Sequence, residues 1–520
     1  MTSTTPATAG KKWGTLVISC LAMLLLALDM TVLHLATPRL VEDMTPSATQ
    51  LLWILDAYGF ALAGMLITFG NVGDRIGRKK LLLTGTVAFG AASALTAYAP
   101  TPELLIAARA LLGVAGATIM PSTLSIIRNV FTDAKERTTA VGSWSSVSAL
   151  GFAIGPVVGG AFLDHFWWGS VFLINVPITI ALVVGGALVL PESRNPRPGR
   201  LDVVSIPLSI VGVVAIVYAI KVAAHDGIAD PAVWISAVIG LVTFAVFVVR
   251  QTRLAEPLID VRLFRVPAFS GAVGANVAIM FGTLSVSVAF AQYFQLVRGW
   301  SPLISGLAGL PGGVGAAIAG GFAGTLVMAL GRAKTIALGL ALTSAGFFLY
   351  GLVDVDTSYA FMLIPMVVAG LGMGFTFAVT NDTIIASVPR ERAGAASAIS
   401  ETATEVGGAL GIAVLGSVLG GLYTANLAIP PGVPADAATI AGESLGGAVH
   451  VASQLPAPAA TQLLDAAQRT FVDAMHATLV VGGVSMVVLA VSCLWALRGT
   501  PKEIPEVILD DTGHVEEPVR

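Results

Sequence analysis

Apolar runs of about 20 residues, separated by short polar breaks, recur from Trp13 to Leu497. A helix needs roughly 20 apolar residues to cross a hydrocarbon layer about 30 Å thick. The pattern predicts spans near residues 14–36, 48–69, 80–99, 103–126, 139–163, 170–190, 203–222, 232–250, 268–292, 303–327, 333–352, 359–388, 395–421 and 474–497. That makes fourteen membrane helices and an all-α integral membrane protein. The longest interval between spans is the outer segment 422–473, rich in Ala, Pro and Gly, whose end ATQLLDAAQRTFVDAMHA (460–477) looks amphipathic. This segment is read either as a lid over the outer mouth or as a flexible connector.

Loop charge tests that count. With the N-terminus inside, the expected cytoplasmic segments hold 23 of the 28 Lys and Arg residues. The outer loops hold Arg39, Lys221, Arg298 and Arg469, and Arg109 alone is expected to be buried. Basic residues concentrate on the cytoplasmic side of membrane proteins, and a missed span would reverse the bias downstream. Both termini are therefore expected in the cytoplasm.

Composition agrees, at 55% hydrophobic and 11% charged residues. The net charge of −3 follows topology and gives no sign of nucleic-acid binding. Lys11 and Lys12 before an apolar run imitate a secretory signal, and Val17-Ile18-Ser19-Cys20 imitates a lipoprotein box. The apolar stretch nevertheless lies mostly after Cys20 and is long enough to span, so it reads as an uncleaved first helix. Cys20 and Cys493 sit in the first and last spans, which excludes a disulfide framework. The six histidines show no metal-ligand spacing, no nucleophile motif appears, and no GxxxxGK[ST] loop suggests ATP drive. An enzyme, a cofactor or a metal is not expected.

Carboxylates at membrane depth point to function. Asp29, Asp56, Glu401 and Glu405 all lie in apolar runs. Such groups cost about 2.5–3.5 kcal/mol even on lenient insertion scales, and they mark ion pathways and proton relays. At about 1.5 Å per residue, Asp29 lies about 24 Å above the inner end of its helix, with Asp56 at a comparable level. Glu401 and Glu405 are four apart and share one helix face. Structural pairing with nearby donors is the alternative at each site. Asp382 reads as too close to the cytoplasmic end for a central role. Arg109 needs an acceptor or an aqueous cavity. Trp53, Tyr58, Phe281, Phe290 and Phe377 lie at depths where they can stack on a flat organic cation or simply pack against neighbours.

An internal repeat divides the chain. GNVGDRIGRKK after the second span matches GTLVMALGRAK after the tenth, with Gly70, Gly77, Arg78 and Lys80 opposite Gly324, Gly331, Arg332 and Lys334. Glu136-Arg137 is echoed by Glu391-Arg392, and Gly151 and Gly155 by Gly407 and Gly411, at nearly the same offset. The expected domains are a cytoplasmic stretch 1–13, a six-helix bundle 14–190, two inserted helices with their flanking loops at 191–267, a second six-helix bundle 268–497, and a tail 498–520. Parallel repeats of this kind build many secondary transporters, with the substrate site between the halves near the midplane. In the first loop Gly73 and Gly77 permit a tight turn, and Asp74 can accept hydrogen bonds from a helix N-terminus. Its basic residues hold the loop on the inner side, the simpler reading being a positive-inside anchor, and can pair with acids such as Asp133 and Glu136. The glycines at 151, 155, 159 and 160 form a small-residue surface suited to close sliding contact, and Pro156 is expected to bend that helix.

Nearly the whole chain resembles the major facilitator superfamily, specifically its fourteen-helix drug:proton antiporters, the QacA, SmvA and LfrA group. The motifs that carry this are Gly70-Asn-Val-Gly73-Asp74-Arg75-Ile-Gly77-Arg78-Lys79-Lys80, Arg109 with Gly113 and Gly116, Gly151-x3-Gly155-Pro156-x2-Gly159-Gly160, and Asp29-Met-Thr31-Val32 running to Pro38. His34 and Leu112 depart from the usual asparagine and glutamine. The resemblance implies two six-helix bundles plus two inserted helices, and a latch at Asp74, Arg75 and Arg78 that stabilises the outward-facing state. It also implies a proton-coupling role for Arg109, and proton and cation recognition by Asp29, Asp56, Glu401 and Glu405. The implied activity is proton-driven export of lipophilic cations, such as quaternary ammonium compounds, ethidium or fluoroquinolones, by a monomer in a bacterial plasma membrane. Export of a lipid, an endogenous metabolite or an antibiotic is the nearest rival, and a passive channel is the rival of another class.

Overall fold

The computed structural model describes residues 9–46, 48–195, 202–225, 227–254 and 257–504. Among these residues there is no strand. Helices α1 (Ala9–Met44), α2 (Ala48–Ile76), α3 (Arg78–Ala97), α4 (Pro102–Val130), α5 (Ala134–His165), α6 (Ser170–Leu173) and α7 (Asn175–Val189) form the first bundle. The second contains α10 (Pro267–Gln292), α11 (Pro302–Leu330), α12 (Arg332–Tyr350), α13 (Tyr359–Ala386), α14 (Ala393–Asn426) and α17 (Ala457–Ala496). Between them lie α8 (Ser205–His225) and α9 (Pro231–Arg253). Thirteen helices among the described residues are long and apolar enough to cross a membrane, α6 and α7 counting together as one. The Ser- and Gly-rich α5, 32 residues long, is not among them but packs against α1 and α11 within the bundle assembly.

The repeat is physical. Gly77 and Gly331 both have positive φ, 113° and 86°, at the turns into α3 and α12. A side chain there would strain the backbone, which is why both copies keep Gly immediately before Arg. Arg78 and Arg332 each open the next helix and are buried.

Buried apolar clusters mostly follow the two halves, and one core spans both extensively. Phe60, Ala63 and Ile67 of α2 pack with Val213 and Val217 of α8 and with Ala396 and Ile399 of α14. The inserted α8 therefore shares a core with both halves. It lies close on α2 because Gly64 leaves room for Ile210 and Val214. Its partner α9 presents Trp234, Ile235, Val238, Leu241 and Val242 outward, as a lipid-facing helix would.

The outer segment is helical and packed, not a loose connector. Helix α14 continues to Asn426, α15 (Ala435–Glu443) and α16 (Leu445–Ala452) follow, and α17 begins at Ala457, well before the expected 474. Ala441, Leu445, Ala448 and Val451 are buried in the same cluster as Leu463, Phe471 and Tyr423. This helical cap rests on the outer end of the second bundle. At about 1.5 Å per residue, a 40-residue helix is about 60 Å long, so its first turns project beyond the bilayer.

Candidate functional site

The seam between the halves is best followed from the end that carries the basic loops, the inner end by the charge rule. Asp74, on the last turns of α2, accepts Nε and Nη2 of Arg78 at 2.9 and 2.7 Å. It also accepts the backbone N–H groups of Gly394 and Ala395, at 3.0 and 3.2 Å, from the first turn of α14. Those amides have no partner within their own helix, and the helix dipole favours a carboxylate there. Arg78 then donates to the Arg390 carbonyl at 2.6 Å, so both residues bridge the halves. Arg75, half-buried, ends α2 beside them. A Cβ on Gly70 would lie 2.5 Å from the Gly394 carbonyl oxygen. Gly70 therefore serves the close approach of α2 to α14, and Gly77 serves the turn. Gly73 faces Leu81 and Ser122.

Among the described residues, the contacts shown for Asp133 and Glu136 lie elsewhere than this loop. Asp133 caps α5 by accepting the Glu136 N–H at 2.8 Å, and Glu136 pairs with Lys12 at 3.0 Å. Helix capping is local and needs no long side chain to bridge two elements, so it claims Asp133 first.

A second ion cluster crosses the seam nearby. Asp382 of α13 is fully buried and accepts Arg137 Nε at 2.6 Å, Thr138 Oγ1 at 2.7 Å and Arg332 Nη2 at 2.7 Å. Arg137 and Thr138 belong to the first half, Arg332 to the second. Asp382 does lie towards the inner end, yet it is the buried hub of this closure. Arg128 donates to the Ile385 carbonyl at 3.1 Å, Ser125 meets Ser397 at 3.3 Å, and Ser146 donates to the Ala316 carbonyl at 3.2 Å. The inner end of the seam is closed.

Further out, Asp29 and Arg109 answer each other. Asp29 is fully buried inside the first bundle, with Arg109 Nη1 at 3.1 Å and Asn175 Nδ2 at 2.8 Å. Asn175 also donates to Ser93 Oγ at 2.9 Å, and Ser93 to the Phe172 carbonyl at 2.8 Å. The break between α6 and α7 delivers Asn175 to this position. The Arg109 guanidinium lies 4.8 Å from the Tyr58 ring centroid. The Tyr58 hydroxyl is buried without a hydrogen-bond partner and lies within electrostatic reach of Asp29, Arg109 and Glu405.

Glu401 and Glu405 occupy the face of α14 that carries Gly394 and Ala398 against Gly70 of α2. Glu401 is 3% exposed, and its Oε1 has no hydrogen-bond partner. Glu405 is half-buried and feels the charge of Lys221 on α8. Lys221 forms an ion pair with Asp56 and lies 5.0 Å from the Phe60 ring centroid. Trp53 and Phe60 of α2 and Tyr218 of α8 form a ring cluster around this pair, with centroids 5.8–6.3 Å apart.

The other aromatic candidates separate. Phe290 is buried against Tyr293, Phe294 and Tyr350, and Phe377 joins the same core of the second bundle. Phe281 packs where α10 meets Gly411 of α14. Tyr58 faces Arg109, and Trp53 joins the rings that flank the Asp56–Lys221 pair. The small-residue face of α5 also divides: Gly151 meets Ala27 and Gly155 meets Thr31, both on α1 of the same bundle. The close contact across the seam comes from Gly142 against Gly320 and from Gly160 near Leu303. Gly159 is buried, and the Pro156 side chain lies outside the described residues. Sequence reasoning missed Lys221, Asn175 and the Arg137–Asp382–Arg332 cluster. Lys221 was detectable: it interrupts the apolar run SIVGVVAIVYAIKVAA, and the rule that singled out the carboxylates applies equally to a lysine.

Two helical bundles joined along a seam of close glycines and buried charges, with helices of membrane-spanning length, define a secondary transporter. The Major Facilitator Superfamily model matches residues 19–412, and the chain belongs to that family. It is 45% identical over 493 residues to the multidrug efflux pump LfrA of Mycolicibacterium smegmatis, covering 95% of this chain and 97% of that protein. It is 34% identical to the methyl viologen resistance protein SmvA of Salmonella typhimurium, covering 94% of this chain and 98% of SmvA. It is 31% identical to the tetracenomycin C resistance and export protein of Streptomyces glaucescens, over 96% and 94% of the two chains. Among solved structures, the human organic anion transporter MFSD10 superposes with a TM-score of 0.54 at 13% identity, covering 92% of this chain and 98% of that one. That likeness concerns the fold alone.

Proposed function

We propose that this chain is a proton-coupled efflux antiporter that exports lipophilic organic cations across a bacterial plasma membrane. In this reading it works as a monomer of fourteen spans with both termini in the cytoplasm. The observation that carries the reading is the Glu401–Glu405 pair. It lies between the halves, one of its oxygens lacks a partner, and a proton or a cation can satisfy it. The relatives, named for multidrug efflux and methyl viologen resistance, support the substrate class.

With the inner seam closed, the acidic pair loads protons from outside. Neutralising it removes the charge repulsion on that face of α14, and α14 then shifts against α2. Gly394 and Ala395 leave Asp74, and the inner end opens. A cation entering from the cytoplasm displaces the protons, the inner seam re-forms, and the cation leaves outward. Asp29 couples to this through Arg109 and Tyr58. Each charge moved against the membrane potential takes about 2.3 kcal/mol per 100 mV, which the returning protons supply.

The test uses proteoliposomes with an internal pH-sensitive dye. Adding ethidium to wild type is expected to release protons, and Glu405→Gln is expected to abolish the release. No proton movement with any lipophilic cation rejects the reading and favours a neutral metabolite, a lipid or an antibiotic as cargo.

A further inference from the structure

The pieces of an organic-cation site are already assembled at the junction of α2, α8 and α14, and they already hold a cation. Lys221 lies 16 residues into α8, about 24 Å from its inner end, at membrane depth. Its ammonium pairs with Asp56, faces the Phe60 ring at 5.0 Å and acts on Glu405. Trp53 and Tyr218, stacked with an interplanar angle of 19°, complete the aromatic wall. Carboxylates flanked by aromatic faces are the chemistry that binds quaternary ammonium and flat aromatic cations. The pair is reachable, since the Lys221 and Asp56 side chains are 36% and 31% exposed, and Trp53 is 42% exposed.

We propose that Lys221 is a tethered counter-cation, held by the Asp56 carboxylate when no cargo is bound and displaced by the exported cation. The proposal rests on the antiporter reading above and adds the residue that sets its selectivity. The inserted helix thereby gains a task beyond spacing the two bundles. A cargo must outcompete a covalently attached ammonium, so weakly interacting cations are rejected, while broad aromatic cations gain from Trp53, Phe60 and Tyr218. Displacement also frees α8, which shares a core with both halves, so cargo arrival is felt where α2 meets α14.

The test measures binding of the monocation ethidium and the dication propidium to the purified full chain in lipid nanodiscs, by fluorescence. Lys221→Met, which removes the charge but keeps the length, is expected to tighten ethidium binding about tenfold and propidium binding about a hundredfold, because the freed Asp56 carboxylate attracts each cargo charge. Lys221→Arg is expected to bind like wild type. Asp56→Asn combined with Lys221→Met is expected to cancel most of the gain. A merely structural role for Lys221 changes both dyes alike, in the weakening direction, and that result overturns the proposal, as does an unchanged affinity. Should Lys221→Met fail to fold, Lys221→Gln carries the same expectation. If wild type binds both dyes and releases protons while the Lys221 variants change nothing, only this inference falls. If wild type binds neither dye, the antiporter reading falls with it.

Discussion

The inner end of the seam and its middle treat buried charge in opposite ways. At the inner end the two buried acids Asp74 and Asp382 are saturated: Asp74 takes one guanidinium and two backbone amides, and Asp382 takes two guanidinium groups and a hydroxyl. In the middle, Glu401 leaves an oxygen without a partner, and the Asp56–Lys221 pair is about one-third exposed. A saturated pair resists rearrangement, because breaking it strands a buried charge. An unsaturated acid changes its occupancy at little cost. One end of the seam is locked by ion pairs, and the middle keeps an unpaired carboxylate oxygen.

The largest effect is expected from breaking the inner end. Asp382→Ala strands Arg137 and Arg332 in a buried site, which should cost about 3–5 kcal/mol. Thermal unfolding in detergent checks this, and an unchanged midpoint removes Asp382 as the hub. Asp29→Asn sharpens the contrast with the middle. It should destabilise the first bundle by about 1–3 kcal/mol, since Arg109 keeps an amide oxygen in place of its charged acceptor. Glu405→Gln should leave the midpoint unchanged or raise it while abolishing proton release, since Glu405 meets the stable fold through fewer fixed contacts.

Gly70→Val acts on geometry and leaves charge untouched. The added atoms meet the Gly394 carbonyl, so the inner seam should close less often and transport should fall about tenfold. A disulfide between Ser125→Cys and Ser397→Cys reports closure directly, because the two hydroxyl oxygens are 3.3 Å apart. Its yield should drop in the Gly70→Val background.

The smallest effect belongs to the clamp at the foot of the inserted pair. Asp202 accepts Arg250 Nε and Nη2 at 2.7 and 2.9 Å and Ser205 Oγ at 2.5 Å. These bonds, Arg250 first, hold its carboxyl well below the usual carboxylate range. A group so depressed stabilises the fold above the ordinary carboxylate pKa near 4, and loses that contribution as pH falls through its own lower value. Protease sensitivity of the stretch before α8 should therefore rise only in strong acid, and Asp202→Asn should raise it modestly at neutral pH.

Much of this was legible in the chain. The span pattern followed from the length of apolar runs, since water leaves the bilayer core and each crossing must satisfy its own backbone. The repeat was legible because Gly77 and Gly331 sit where only glycine relaxes the turn, and Asp74 because a carboxylate amid glycines at a basic loop suits a helix N-terminus. Arg109 announced that it needed an acceptor, though nothing in the sequence named Asp29, 80 residues away, as that acceptor.

Tertiary structure decided which buried charges are partners. Ion pairing depends on distances between helices far apart in sequence, and a helix face gives the direction of a side chain without naming its neighbour. Hence Asp56 went to Lys221, Asp382 became a hub between halves, and Gly151 and Gly155 turned toward α1 while Gly142 met Gly320. Local chemistry fixed what each segment could become; packing between bundles fixed which charges stayed locked and which stayed available to a proton or a cation.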